Sequence, residues 1–277
     1  MQKSIFLFLM FCCFFGNAQN PSNNNTIIPE PNFYKATGDS IRINGLIKVV
    51  FKDNKFSIKE KRTASIFESV VNSNMPNKKS NIEVLFIAQT PSTSEKKEAY
   101  KINVTSKKIT VTGSEEGLFY AVQSLLQLLP NQPKNQEIKL PCVTIEDEPR
   151  YTYRGLHLDV CRHFFTVDVI KDFIAQMSYY KLNNFHWHLT DDQGWRIEIK
   201  KYPKLTEVGS KRAQTLVGNK FERFPYFFDG NPYGGFYTQE EIKDVVKFAE
   251  EHYVNIIPEI DMPGPATAAV TASPTLS

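Results

Sequence analysis

The chain has 277 residues, with 33 Lys+Arg against 30 Asp+Glu, 41% hydrophobic residues and 13% aromatics. That length fits one large or two ordinary domains with a substantial core, and the ordinary apolar content excludes wholesale disorder and fibrous repeats. A net charge of +3 is too weak to point to nucleic acid as the main partner. After the first few positions no apolar run approaches the ~18 residues of a membrane span.

The N-terminus has targeting character. Lys3 precedes the apolar run 5–15, and Gly16, Asn17 and Ala18 give small residues before Gln19. A short basic start, about ten apolar residues and a small residue at the cut describe a secretory signal, so residues 1–18 are expected to direct export. The signal takes Cys12 and Cys13 with it. Cys142 and Cys161 then remain, which make no disulfide framework and read as two buried thiols. Residues 19–30, polar and proline-containing, read as a linker.

Residues 31–149 alternate strand and helix patterns. A strand is predicted over 82–88. Residues 100–104 and 108–112 alternate apolar and polar positions around Ser106-Lys107, a hairpin signal. A helix follows over 115–129, with Leu118, Val122, Leu125, Leu126 and Leu129 at helical spacing and Pro130 ending it. A weaker helix covers 63–72, and the charged stretch 59–62 before it reads as a solvated face. No catalytic side chains gather in this half, so a small α/β domain for structural support is expected.

The pattern changes near Glu148-Pro149-Arg150, and residues 150–277 read as three strands separated by helices. The strands are 155–160, 184–190 and 255–260. One helix begins after Thr166 and carries Ile170, Phe173, Ile174 and Met177; another begins at the capping box Thr238/Glu241 and carries Ile242, Val245, Val246 and Ala249. Alternation of this kind implies right-handed βαβ units and a parallel sheet. The long insert at about 195–237 is rich in Gly, Pro and aromatics, which suits a functional wall better than a connector.

Polar residues recur at the same place on each strand. The first ends in Asp159, followed by Arg162 and His163; the second carries His186 and His188 and runs into Asp191-Asp192; the third ends in Glu259 and Asp261. In parallel α/β architectures the carboxyl ends of strands form the active face, so one shared polar site is expected. An arginine fork there suits vicinal hydroxyls or a carboxylate. His186 and His188 point to one face of their strand; the spacing suits metal ligation, but a buried hydrogen-bonded pair is the preferred reading. Trp195, Tyr226, Phe227, Phe228, Tyr233 and Tyr237 fit either a core or stacking against sugar rings.

Three stretches resemble β-N-acetylhexosaminidases of glycoside hydrolase family 20: Arg154-Gly155-Leu156 through Asp159-Val160-Cys161-Arg162-His163-Phe164-Phe165, Lys181 to Arg196 with Asp191-Asp192-Gln193-Gly194-Trp195, and Pro258-Glu259-Ile260-Asp261-Met262-Pro263-Gly264. The segment 117–130 is similar to the end of that family's N-terminal α/β domain. The resemblance implies an α/β fold in which a small domain precedes a (β/α)₈ barrel, here its first part. It implies an exo-acting hydrolase of glycans ending in N-acetylglucosamine or N-acetylgalactosamine, working without cofactor or metal. The mechanism it implies is substrate-assisted: the sugar's 2-acetamido oxygen attacks the anomeric carbon while an Asp-Glu pair orients it and protonates the leaving oxygen. By the same resemblance Arg162 grips ring hydroxyls, and Asp191, His188, Glu259 and Asp261 form the supporting network.

The chain departs from the family twice. Pro265 stands where the family has a His after Met-Pro-Gly, which removes an imidazole. The family's Gly-Gly-Asp-Glu is not found, and residues 150–277 are fewer than the ~250 of a barrel. An N-terminal fragment inactive by itself is therefore expected. A non-catalytic remnant that at most binds amino sugars is the second reading, and a metal-dependent hydrolase using His186 and His188 the third.

Overall fold

A computed structural model describes residues 25–53, 55–76, 78–91, 96–131, 136–218, 224–262 and 264–273. The expected signal, and the linker as far as residue 24, lie outside the described residues.

The N-terminal unit is built on six strands: β1 (Phe33–Ile43), β2 (Leu46–Phe51), β3 (Lys79–Ala88), β4 (Tyr100–Val104), β5 (Lys108–Gly113) and β6 (Ile138–Asp147). Their order is β1-β6-β4-β5-β3-β2; the β2–β3 and β3–β5 pairs are parallel and the others antiparallel. Ile102, Val104, Ile109 and Val111 alternate with polar neighbours and, with Val84 and Phe86 of the more apolar β3, are buried against two helices, α1 (Ile58–Ser73) and α2 (Glu115–Leu128). The predicted hairpin and helix 115–129 fall on β4, β5 and α2.

Two expectations are corrected. The helix predicted from residue 63 begins at Ile58, so the charged stretch 59–62 lies in its first turns, with Lys59, Lys61 and Arg62 exposed as a solvated face. Ser57 caps it, Glu60 completes the capping box and is buried, and Lys59 and Arg62 reach Glu250 and Glu251 of the second unit at 3.0 and 2.5 Å. The C-terminal end of the linker stretch is also packed. Ile27 lies in the core, Thr26 donates to the Gln127 carbonyl (3.0 Å), and the Ile28 N–H donates to the Gln127 side chain (2.6 Å).

The second unit contains β7 (Gly155–Asp159), β8 (Asn184–His188) and, later, β13 (Asn255–Glu259), parallel in the order β13-β8-β7. Helices α3 (Val167–Tyr179) and α5 (Gln239–Glu251) cover one face, burying Ile170, Ile174, Met177, Val245 and Ala249 against Phe185 and Trp187. The Thr238/Glu241 box is present, whereas Thr166 occupies the cap of α3 without a side-chain bond. The second predicted strand ends early, at His188. Thr190–Asp191 (β9) instead folds back on Gly194–Trp195 (β10), and the rest of the long insert contributes the turn α4 (Lys204–Glu207) and the short pair β11 (Lys211–Arg212) and β12 (Tyr233–Gly234). The turn α6 (Thr267–Ala272) ends the described chain. Cys142 and Cys161 are buried free thiols. Among the described residues no helix is long and apolar enough to cross a membrane.

The helices α3 and α5 both reach the next strand through a residue in the left-handed region, Lys181 (φ 61°) and Tyr253 (φ 55°). Both side chains dock on the N-terminal unit. The buried Lys181 ammonium donates to Tyr100 Oη (2.8 Å) and Asp147 (3.3 Å), and Tyr253 packs its ring 4.5 Å from that of Phe119. Phe67 on α1 is fully buried in the N-terminal core. Phe67→Ala is expected to cost about 3–5 kcal/mol and Ser57→Ala about 1 kcal/mol. Urea unfolding of the two variants checks this, and equal shifts in midpoint would contradict it.

Candidate functional site

Parallel pairing fixes which side chains meet. Asp159 pairs with His188 and His188 with Glu259, so the last residues of β7, β8 and β13 lie at one level of the sheet; one step below, His157 pairs with His186. Paired residues on adjacent strands point to the same face. The helix-covered face receives Phe185 and Trp187, and the opposite face receives the histidines and carboxylates. The convergence of polar strand ends expected from the sequence is therefore a matter of register.

Arg162 is at the centre of this face. Asp159 Oδ1 accepts from the backbone N–H groups of Cys161 (2.8 Å) and Arg162 (3.1 Å), making the tight turn that brings the Arg162 side chain back over the strand ends. Arg162 Nη1 then donates to Asp159 Oδ2 (2.9 Å) and forms an ion pair with Asp191 Oδ2 (2.7 Å). Asp191 is buried, and its Oδ1 accepts from the Asp192 N–H at 2.6 Å. No contact among the described residues occupies Arg162 Nε or Nη2, and about half of the side chain (52%) is exposed, so a two-pronged donor edge faces outward.

His188 lies beneath, buried between two carboxylates. Nε2 is 2.9 Å from Asp191 Oδ2, and Nδ1 is 2.8 Å from Glu259 Oε2. The second contact is short enough for ion pairing but misaligned for a hydrogen bond. Glu259 Oε2 also meets His186 Nε2 at 2.8 Å and His157 Nε2 at 3.5 Å. Burial lowers the pKa of His188, but Asp191 and Glu259 outweigh it and leave the imidazole raised. For Glu259 burial works upward, and His188 with the two neighbouring imidazoles overcomes it, so its carboxyl is lowered. Asp159 is likewise lowered, the turn N–H groups and Arg162 prevailing over burial.

The remaining expected residues fall in place around this cluster. The Asp261 backbone donates to Thr190 Oγ1 (2.8 Å), and its carboxylate lies within 4.8 Å of the His188 and Asp191 ligand atoms. Asp192 turns away and accepts from Thr267 at the start of α6 (3.0 and 2.7 Å). Pro265 is exposed; with Arg162, His188 and the Asp192 N–H on its two oxygens, Asp191 is well partnered without it. His157, His188 and Glu259 also bring ligand atoms within 4.8 Å of one another. Their closest contact, 2.8 Å, is shorter than the roughly 3.3 Å between neighbouring ligand atoms around a tetrahedral zinc. Of the pair expected to be buried and hydrogen-bonded, His188 is buried and bonded to Asp191, whereas His186 is partly exposed and meets Glu259 at ion-pair distance without an aligned hydrogen bond.

Sequence reasoning passed over Arg196, which builds the wall. Its guanidinium is fully buried and donates to the carbonyls of Val160 (3.1 Å), Cys161 (2.7 Å), Ser210 (2.7 Å) and Gly235 (2.9 Å), tying the long insert to the end of β7. A Cβ at Gly194 would sit 2.4 Å from the Arg196 guanidinium carbon, which accounts for that glycine. The aromatics of the insert divide. Trp195 and Tyr237 are core; Tyr233 carries the Arg212 guanidinium at 4.4 Å and stacks on His163; Phe224, Phe227 and Phe228 are at least half exposed.

The model of the glycosyl hydrolase family 20 catalytic domain matches residues 151–277, and that of the family's domain 2 matches residues 24–148. A beta-hexosaminidase of Porphyromonas gingivalis is 47% identical over 188 residues, covering 66% of this chain and 22% of that protein. One from Vibrio furnissii is 44% identical over 177 residues, 64% and 28% of the respective chains. Among solved structures, the GH20 exo beta-N-acetylglucosaminidase from Vibrio harveyi, in complex with N-acetylglucosamine, superposes with a TM-score of 0.73 at 34% identity over 91% of this chain and 38% of its own. The chain thus spans well under half the length of these relatives.

Arg196→Leu would leave four carbonyls of the wall without their donors. We expect a stability loss of at least about 3 kcal/mol and new protease cleavage within 197–237. An unchanged urea midpoint would contradict the role given to this residue.

Proposed function

Because the chain belongs to glycosyl hydrolase family 20, we propose that its strand-end cluster is the hydroxyl-gripping part of a site for a terminal N-acetylhexosamine in a β-N-acetylhexosaminidase. The observation that carries this is the free outer edge of Arg162, held by Asp159 and Asp191 through one nitrogen while Nε and Nη2 face the open side. Two parallel N–H donors on a fixed plane match two vicinal hydroxyl oxygens. Because the carboxylates fix the guanidinium before the sugar arrives, little ordering cost remains for binding.

The cluster also limits what these residues do chemically. A general acid for glycoside cleavage needs a raised carboxyl pKa, whereas Asp159 and Glu259 are lowered by their cationic neighbours and Asp191 faces both Arg162 and His188. The only adjacent Asp-Glu in the sequence, Asp147-Glu148, lies at the end of β6, where Asp147 pairs with Lys181. Substrate-assisted cleavage needs no enzyme nucleophile, since the 2-acetamido oxygen attacks the anomeric carbon, but it does need a proton for the leaving oxygen. The cluster thus supplies binding and orientation, and the proton comes from another group. Binding without turnover, the second reading, is favoured for these residues alone by the same observation. The N-terminal Lys3 and the apolar run to Phe15 support an exported protein.

In calorimetry the 277-residue chain should bind N-acetylglucosamine, and Arg162→Met should weaken binding by at least about tenfold, the worth of one charged hydrogen bond. A chromogenic N-acetylglucosaminide should not be turned over. Affinity untouched by Arg162→Met would overturn the assignment, and measurable turnover would overturn the limit on the cluster.

A further inference from the structure

Both ring nitrogens of His188 face carboxylate oxygens, Nε2 at 2.9 Å from Asp191 and Nδ1 at 2.8 Å from Glu259. A neutral imidazole has one N–H and one lone pair, so it suits one such neighbour and repels the other; an imidazolium suits both. Arg162 Nη1 lies 3.2 Å from His188 Nε2. Both nitrogens lie close to the same oxygen, Asp191 Oδ2, at 2.7 and 2.9 Å, and only the His188 contact is aligned as a hydrogen bond. Asp191 therefore sits between two cations, and its position against Arg162 depends on both.

We propose that His188 is a positioning residue: its imidazolium, clamped between Glu259 and Asp191, fixes the Asp191 carboxylate that aims Arg162 at the sugar. The proposal rests on the sugar-site reading above. His188 does not reach the ligand itself. When its proton is lost, the lone pair faces one of the two carboxylates, that carboxylate turns away, and Arg162 keeps only Asp159 as a firm partner.

The groups facing His188 are few and can be named by element. From β7 come His157, whose ring centre is 5.6 Å away, and Asp159; from the turn after it, Arg162 and Cys161, whose thiol donates to the His188 carbonyl (3.2 Å). From β8 and β9 come His186 and Asp191, and from β13 and the residues after it Glu259 and Asp261. The raised imidazole sets the sign. The clamp is complete below the ordinary histidine range and is lost as pH rises through the raised value. At the acid end it is lost as pH falls through the lowered value of Glu259. Sugar affinity should therefore be greatest between these limits.

Nitrogen-15 spectroscopy of the imidazoles in the 277-residue chain tests the clamp without sugar. His188 should carry both ring protons at neutral pH and titrate above the ordinary histidine range, and Asp191→Asn and Glu259→Gln should each move its titration downward. A His188 that is neutral at neutral pH, or that neither substitution moves, overturns the proposal. Calorimetry with N-acetylglucosamine gives the second readout. Affinity should fall by about fivefold or more between about pH 6 and about pH 9, and His188→Gln, which does not titrate, should be weaker at the lower pH and flat across the range. The same alkaline fall in His188→Gln overturns the proposal. Should the chain bind no sugar at any pH, the sugar-site reading fails, and the spectra alone decide whether the clamp exists.

Discussion

Parallel register is the constraint on which the site depends. Once β7, β8 and β13 pair so that Asp159, His188 and Glu259 share one level, alternation leaves each strand no choice about its faces. Phe185 and Trp187 must go to the helices, and His186 and His188 must go to the opposite side. A slip of one residue would put imidazoles under α3 and α5 and indoles over the polar mouth. The apolar packing of the helices therefore enforces the polar geometry.

Gathering charge on one face is costly unless each group finds its opposite. Asp159 and Asp191 are met by Arg162, and Asp191 and Glu259 by His188. Arg162 is left half exposed, where its desolvation cost is small and its free edge is accessible. Arg196 shows the other solution. It is fully buried with no carboxylate partner among the described residues, and the carbonyl dipoles of four residues take up its donors instead. Two arginines within one neighbourhood thus do opposite work, one by holding the wall closed and one by facing outward.

Much of this was legible in the sequence where the signal is local. The hairpin β4–β5, helix α2, the Thr238/Glu241 box and the three parallel strands each announce themselves within a few residues, and the polar strand ends follow from them. Strands β1, β2 and β6 do not, because their pairing is remote in sequence: Phe33 pairs with Glu146 across the whole unit, and β1 shifts register between Ala36 and Ser40. The start of α1 was hidden because its first turn is fixed by the Ser57 cap and by ion pairs to α5 rather than by apolar spacing. His157 and Arg196 were missed for a related reason. Nothing within a few residues distinguishes a histidine that faces Glu259 from an exposed one, and only the close approach at Gly194 betrays the buried guanidinium beside it.

The N-terminal unit enters at the opposite end of the strands. Lys181 and Tyr253 precede β8 and β13 and anchor on Tyr100, Asp147 and Phe119, while the polar cluster lies where those strands finish. A five-residue strand spans only about 17 Å, so fixing its beginning fixes its end. The ion pairs of Lys59 and Arg62 with Glu250 and Glu251 hold the last turn of α5 in the same way, just before β13 begins. Support and site are thereby separated along each strand: the anchors set where the strands start, register sets which residues meet, and the charges at the far ends choose one arrangement among those the core allows. This division lets the N-terminal unit bear on the strand-end cluster from the opposite end of the strands.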